Sequence, residues 1–259
     1  MSQFADPNAT SRKMAALHQD AQKMKRRVSA IEATMRLAAL NRPPVFPIEF
    51  RSQFGEDALL WELFAGQVDG FFIEVGAFDG YDCSVSYAFE AMGWKGLLVE
   101  AIPERFEQCR ARRPHSRCVH AALSCRGSSG TTTFTVTDDA FGGMLSFMDP
   151  HSEHARTAVA KSRREVTVPL TTMDDILKDH QGEIDFAVID VEGSELMLLD
   201  GFNVEKYRPK VLLIEDNTQG RDADLTRYLE RSGYQQLGML EVNRVCIRQD
   251  LAHWKSRLF

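Results

Sequence analysis

"FFIEVGAFDG", residues 71–80, is the stretch on which the fold turns. Its first five residues have strand character and carry one carboxylate, Glu74. Gly76 and Gly80 then bracket Ala77, Phe78 and Asp79. A glycine just past a strand lets the backbone turn sharply or approach something that is not protein. A carboxylate among apolar residues is costly without a partner, so the stretch asks for a cation near Glu74 or Asp79. A strand ending in glycines before a helix is a general nucleotide-binding device. It is not the dinucleotide fingerprint GxGxxG, because Phe78 stands where the second glycine belongs. A pyrophosphate would lack its close backbone approach. Taken alone, "GAFDG" also fits an ordinary tight turn.

Working outward, strand and helix alternate. A helix near 83–92 follows the first strand, and "GWKGLLVE" gives a second strand at 96–100. A helix from about 103 to 112 leads to a third strand, "RCVHAAL". "IDFAVID" (184–190) and "KVLLIED" (210–216) are apolar runs of the kind that parallel strands buried on both faces produce. Such alternation predicts a doubly wound α/β sheet. "YQQLGML" and "NRVCIRQ" are separated only by "EV", too short for a crossover, so they should pair antiparallel. An insertion at 126–170 has strand-like ends, "TTTFTVT" and "EVTVPL". It lies where open α/β sheets bind ligands, so it is expected to act as a lid, with Phe141, Met144 and Phe147 pressing on an acceptor.

Glu100 ends the second strand, 24 residues beyond Gly76. An acidic residue at that distance accepts hydrogen bonds from ribose hydroxyls. A nucleoside without phosphate and with a cationic tail suits this site, and S-adenosylmethionine fits the description.

With these pieces the sequence resembles the FkbM family of S-adenosylmethionine-dependent methyltransferases. The resemblance is carried by "SQFGEDALL" (52–60), "FFIEVGAFDG", "GWKGLLVEAIPE" (93–104), "VHAALS" (119–124), "TTMDDIL" (171–177), "IDFAVIDVEGSELMLLDGF" (184–202) and "LLIEDN" (212–217). It implies a Rossmann-like class I methyltransferase fold: a mostly parallel seven-stranded sheet closed by a C-terminal antiparallel hairpin. It further implies that Gly76, Ala77, Asp79 and Gly80 line the methionine end of the cofactor. Glu100 would hold the ribose, Ala101 and Ile102 would flank the adenine, and Ala121 and Ala122 would lie at its edge. Gln53 and Asp57 are candidates to close the methionine end, and a helix start with a surface carboxylate explains them equally. The acceptor class implied is the hydroxyl of a saccharide or another natural product.

Asp190 and Glu192 follow the fourth strand; Glu215 and Asp216 end the fifth. Carboxylates converging on one rim repel unless a cation or a shared proton intervenes. The arrangement is similar to that of metal-dependent sugar and catechol O-methyltransferases. This suggests a divalent ion such as Mg²⁺ on Asp190, Glu215 and Asp216, with Glu192 as base. The alternative is structural: Asp190 supports the cofactor, Glu192 caps a helix, and Glu215 meets a basic residue. His120 is read as a structural residue, His151 and His154 as solvated lid residues, and Cys83 and Cys118 as packing.

Ahead of this domain, boundaries 43–259, lies an arm, residues 1–42. Its apolar positions Met14, Leu17, Ala21, Met24, Val28, Ile31, Met35 and Ala38 alternate steps of three and four. In a parallel pair, Asp20 would face Lys25 of the partner and Arg27 would face Glu32. The arm therefore predicts a homo-oligomer through residues 12–40, unless the same stripe folds back on its own domain. "NRPPVFP" (41–47) ends the helix.

The 259 residues carry a formal charge of -6, which argues against nucleic acid as the main partner. No run is long and apolar enough to suggest a membrane span, and the N-terminus lacks the order of a secretion signal. Five cysteines without a CxxC suit reduced thiols, so a cytoplasmic location is expected. Two rival functions stay open: a nucleotide-cofactor oxidoreductase or epimerase, and a non-catalytic cofactor-binding scaffold assembled through the arm.

Overall fold

The computed structural model of the protein describes residues 7–137, 146 and 162–258. Phe141, Met144, Phe147, His151 and His154, with most of the expected lid, lie outside the described residues. In chain order, helix α1 (Pro7–Ala39) and α2 (Glu56–Leu63) precede β1 (Phe71–Val75). Then come α3 (Tyr87–Met92), β2 (Lys95–Glu100), α4 (Pro103–Arg112), β3 (Arg117–His120), β4 (Ala122–Leu123), β5 (Gly130–Thr137) and β6 (Arg163–Thr171). The second half holds α5 (Met173–Ile176), β7 (Phe186–Ile189), α6 (Glu195–Asp200), α7 (Val204–Tyr207), β8 (Val211–Glu215) and α8 (Ala223–Arg231). The hairpin β9 (Tyr234–Leu240) and β10 (Asn243–Arg248) and a 3₁₀ helix (Gln249–Arg257) close the chain.

Seven strands form one sheet in the order β3-β2-β1-β7-β8-β10-β9. All neighbouring pairs are parallel except those made by β10, which runs antiparallel to both β8 and β9. This is the Rossmann-like class I methyltransferase sheet. Its central strands are apolar on both sides because helices cover both faces. On β8, Val211 and Leu213 pack with Phe72, Trp94 and Phe186, whereas Leu212 and Ile214 pack with Ile73, Leu198 and Leu225. Among the described residues no helix is long and apolar enough to cross a membrane.

Three elements differ from the sequence reading. The expected helix over 83–92 begins only at Tyr87, because Glu74 takes up the groups before it. Its carboxylate accepts from Ser84 Oγ (2.9 Å), Val85 N (2.8 Å), Ser86 N (3.4 Å) and Ser86 Oγ. The expected third strand, "RCVHAAL", is two strands. Beyond Glu100 the large sheet offers β3 no neighbour, and buried backbone groups need partners. Ala122 and Leu123 therefore pair with Leu170 and Thr171 of a second sheet, ordered β4-β6-β5. In that sheet the two ends of the insertion pair antiparallel, from Gly130↔Leu170 to Thr137↔Arg163.

The third difference is the arm. α1 does lie against its own domain, but through Ser29, Ala33 and Leu37, which are buried. The apolar stripe read from the sequence faces solvent instead: Leu17, Met24, Val28, Ile31 and Met35 are each 50–67 % exposed.

Candidate active site

The site is a cleft at the carboxyl ends of β1, β2 and β7, with the small sheet as its far wall. Gly76 leaves β1 at φ +78, and its N–H and that of Ala77 donate to Val99 O (3.0 and 3.1 Å). A Cβ built on Gly76 would lie 2.1 Å from the carbonyl oxygen of Asp190, so the turn admits no side chain. Phe78, at φ 50, then brings its N–H to Glu100 Oε2 (2.7 Å). Ile102 N donates to Glu100 Oε1 (2.7 Å). Glu100 thus fastens the glycine turn of β1 to the start of α4, and burial pushes its pKa up to about 7 against those amide bonds. The Ala101 amide is a third donor to it, and a carboxylate has about four lone-pair positions, so capacity for a hydroxyl in the cleft remains.

Around this pair the cleft is lined by Val75, Val99, Ala101, Ile102, Ala121 and Ala122, by Leu123 and Phe134 of the small sheet, and by Ser146. It holds about 730 Å³ of space, part of it open to solvent. Among the described residues every charged group on the lining is acidic: Glu100, Asp190 and Glu192. Among the described residues this wall offers no cation to meet a phosphate, and it suits an adenine between small apolar side chains with a positive tail among carboxylates.

The other end of the cleft is strongly acidic. Asp190 follows β7, and Glu192 (φ 55) and Gly193 (φ 93) turn the chain through two successive left-handed residues. Glu195 holds that turn by accepting from Gly193 N (3.0 Å) and Val191 N (3.4 Å). Carboxylate oxygens of Asp190, Glu192 and Glu215 come within 4.8 Å of one another. Asp190 is exposed toward the cleft while dense protein lies beneath it. Burial, then the charges of Glu215, Glu192 and Glu195, raise its pKa well above the carboxylate range. Glu215 is pushed up to about 8, first by burial and then by Glu192 and Glu195. Glu215 Oε1 accepts from Asn217 Nδ2 (3.0 Å), while Oε2 is buried with no hydrogen-bond partner. Ser194 Oγ, on the cleft wall, is also buried and unpartnered.

Of the residues picked out by sequence, Gly76, Glu100, Ala101, Ile102, Ala121, Ala122, Asp190 and Glu192 line the cleft. Five do not. Glu74 meets a protein cation: buried Arg113, 3.8 Å away, which also binds Glu90 Oε2 (2.7 Å). Asp79 accepts from Tyr81 N (2.9 Å), Asp82 N (2.8 Å) and Arg112. Burial alone would raise its pKa, but those bonds outweigh it and hold the carboxyl below its usual range. The cation sought near Glu74 and Asp79 is therefore a pair of arginines at the end of α4. Ala77 is buried in the core, and Gly80 packs on Cys109 and Arg113. Gln53 is exposed, its carbonyl accepting from Arg26 Nη2 (2.9 Å), while Asp57 is buried on Ser52.

Asp216 is likewise removed from the expected ligand set, because it forms a buried ion pair with Arg244 (Nε, 3.0 Å) and accepts from Thr218 Oγ1 (2.6 Å). His120 is structural: its Nε2 lies 3.0 Å from Ala101 O, and its ring stacks on Phe106. Sequence reasoning missed Ser194, Glu195 and Phe134. The glycine in "VEGSE" was the available signal for the first two; nothing local marked Phe134.

Comparison with known proteins places this geometry. The model of the methyltransferase FkbM domain matches residues 74–235. No curated protein matches the chain. Among solved structures, a METTL16 methyltransferase domain aligns at a TM-score of 0.42 and 13% identity, covering 74% of this chain and 65% of that one. A TehB-like SAM-dependent methyltransferase from Corynebacterium glutamicum aligns at 0.43 and 11%, covering 83% and 92%. The SAH-bound Podospora anserina methyltransferase PaMTH1 aligns at 0.41 and 11%, covering 96% and 98%. With the family model matching from Glu74 at the end of β1 to the start of β9, the chain belongs to the FkbM methyltransferase family and is an S-adenosylmethionine-dependent methyltransferase.

Proposed function

We propose that the protein is an O-methyltransferase whose acceptor is a hydroxyl of a saccharide or another natural product. The observation that carries the reading is the convergence of the Asp190, Glu192 and Glu215 carboxylates at the end of the cleft away from Glu100. A hydroxyl is a weak nucleophile until its proton has somewhere to go, and a carboxylate facing the cleft is a competent acceptor for it. S-adenosylmethionine supplies an electrophilic methyl group on a positive sulfur. Glu100 holds the ribose hydroxyls, and the turn at Gly76 fixes where the methionine end begins. Glu192 takes the acceptor's proton as the oxygen–carbon bond forms and the carbon–sulfur bond breaks, its electron pair staying on sulfur. Alignment of the two reactants is the larger part of the rate.

The residues also fit a divalent cation with oxygen ligands. Three crowded carboxylates, of which Asp190 and Glu215 have raised proton affinity and Glu215 has a buried unpartnered oxygen, are what such an ion relieves. Asp190 and Glu215 would hold Mg²⁺ with Glu192 beside it as the base, Asp216 being tied to Arg244, and the ion would lower the pKa of a bound hydroxyl.

The family match sets aside the oxidoreductase reading. The test is mass spectrometry of purified protein incubated with S-adenosylmethionine and a panel of saccharides and glycosylated metabolites, with fragmentation to locate the methyl group. Transfer to oxygen is expected, stopped by chelation and restored by Mg²⁺. Transfer to carbon or nitrogen alone would overturn the O-methyltransferase assignment, and full activity after chelation would remove the ion. Cofactor binding with no turnover on any acceptor would favour a scaffold.

A further inference from the structure

We infer that two copies of this chain pair through α1 as an antiparallel helical dimer, using the exposed stripe that the domain leaves uncovered. The stripe is Leu17, Ala21, Met24, Val28 and Ile31, all exposed, and it lies on the side of α1 away from the buried Ser29, Ala33 and Leu37. Soluble helices rarely leave such a row of large apolar side chains to water.

Charge and geometry choose the direction. A parallel pair would need Lys25 and Glu32, on the flank just after the stripe, to reach the partner's Asp20 and Arg27. Both are committed to their own domain: Lys25 Nζ lies 3.2 Å from Glu62 Oε2, and Glu32 Oε2 accepts from Trp61 Nε1 at 3.2 Å. The opposite flank holds exposed Asp20, whose ion pair is a long, solvent-exposed one with Lys23 of the same helix (3.9 Å), and exposed Arg27, which among the described residues makes none. In an antiparallel pair this flank faces its own copy. Asp20 then meets Arg27 of the partner subunit twice across the two-fold axis, each side chain leaning toward its own helix N-terminus and so toward the other.

The same register is set by length. α1 runs Pro7–Ala39, with its midpoint at residue 23. Pairing Leu17 with Val28 and Ala21 with Met24 of the other copy centres the axis near that midpoint, so the two helices overlap along their full length. It also keeps the domains apart. Among the described side chains, those of α1 that bond its own domain are Gln22, Lys25, Arg26 and Glu32, at and beyond the middle of the helix. Reversal puts the two domains at opposite ends of the helix pair.

Sedimentation equilibrium on the full-length chain tests this. Wild type is expected at twice 29.2 kDa. Leu17→Glu and Val28→Glu should each weaken the dimer by at least tenfold, as should Asp20→Arg and Arg27→Asp to a smaller degree. The double variant Asp20→Arg/Arg27→Asp should restore it, because antiparallel pairing exchanges the two charges. In a parallel dimer the double variant would set like charges on both flanks and be the weakest of all. Mixed Leu17→Cys and Val28→Cys chains should form a 17–28 disulfide, mapped by mass spectrometry, in preference to 17–17 or 28–28. A monomeric wild type, a double variant weaker than either single, or 17–17 and 28–28 links would overturn the proposal.

Discussion

At position 100 a single carboxylate does two jobs that oppose each other. It must be buried to tie Phe78 and Ile102 in place, and charged to receive hydroxyl donors from the cleft. With its pKa near 7 by burial, S-adenosylhomocysteine affinity should fall as pH drops below about 7, because the protonated group loses acceptor capacity. Glu100→Gln should weaken binding by about tenfold to a hundredfold, since hydrogen bonds to a charged group contribute about 1.5–3 kcal/mol. Calorimetry across pH 5.5 to 8.5 checks both, on the order of one pH unit per tenfold change below the pKa. Gly76 is a worse probe: any Cβ meets Asp190 O, so its substitution disturbs the fold along with the pocket. Glu215 gives the opposite sign in stability. Its folded value of about 8 lies above the ordinary 4.5, so the folded protein holds that proton more tightly than the unfolded chain. Stability is lost as pH rises from 4.5 through 8. Cofactor-free Glu215→Gln should therefore melt higher than wild type at pH 8.5 and alike at pH 4, while losing activity; equal melting at both pH values would refute the repulsion. Glu100 and Asp190 were legible in the sequence because strand-end carboxylates have fixed spacing. The arginines answering Glu74 and Asp79 were not, since "RARR" at 110–113 gives no sign of which guanidinium turns inward.

At the scale of elements, the segment 80–86 is held by side chains rather than by a helix. Arg113 bonds Gly80 O (3.1 Å), Ser84 Oγ (3.1 Å) and Ser86 Oγ (2.8 Å) while pairing with Glu90 and lying near Glu74. Removing one partner leaves buried carboxylates unpaired, so Arg113→Ala should cost about 3–5 kcal/mol. Denaturant unfolding measures the loss, and hydrogen exchange should show it first in 80–86; a loss under 1 kcal/mol would mean water replaces the guanidinium. The parallel strands and the final hairpin could be read from apolar runs and a two-residue connection. The division of 117–123 between two sheets could not, because both halves are apolar and the choice depends on where β2 stops.

At the scale of the whole molecule, the arm and the domain are one folding unit only in part. Leu37 and Ala33 belong to the core under the large sheet, so deleting residues 1–41 should lower Tm by several degrees or more. Leu37→Ala alone should cost about 2–5 kcal/mol. Deleting residues 1–21 should leave Tm unchanged at high dilution, where association contributes nothing; a large drop there would place the N-terminal half of α1 in the domain. Heptad spacing located the helix, but spacing cannot say which stripe the domain takes, because small residues such as Ser29 and Ala33 allow the closest approach. One contact described above reaches further than its size. With Gly76 pressed against the Asp190 carbonyl, the floor beneath the methyl donor and the floor beneath the acids are the same slab of backbone. Directed evolution toward new acceptors would waste its diversity on those strand tips. Leu123 and Phe134, on the facing wall, can be varied without shifting that slab, and libraries belong there.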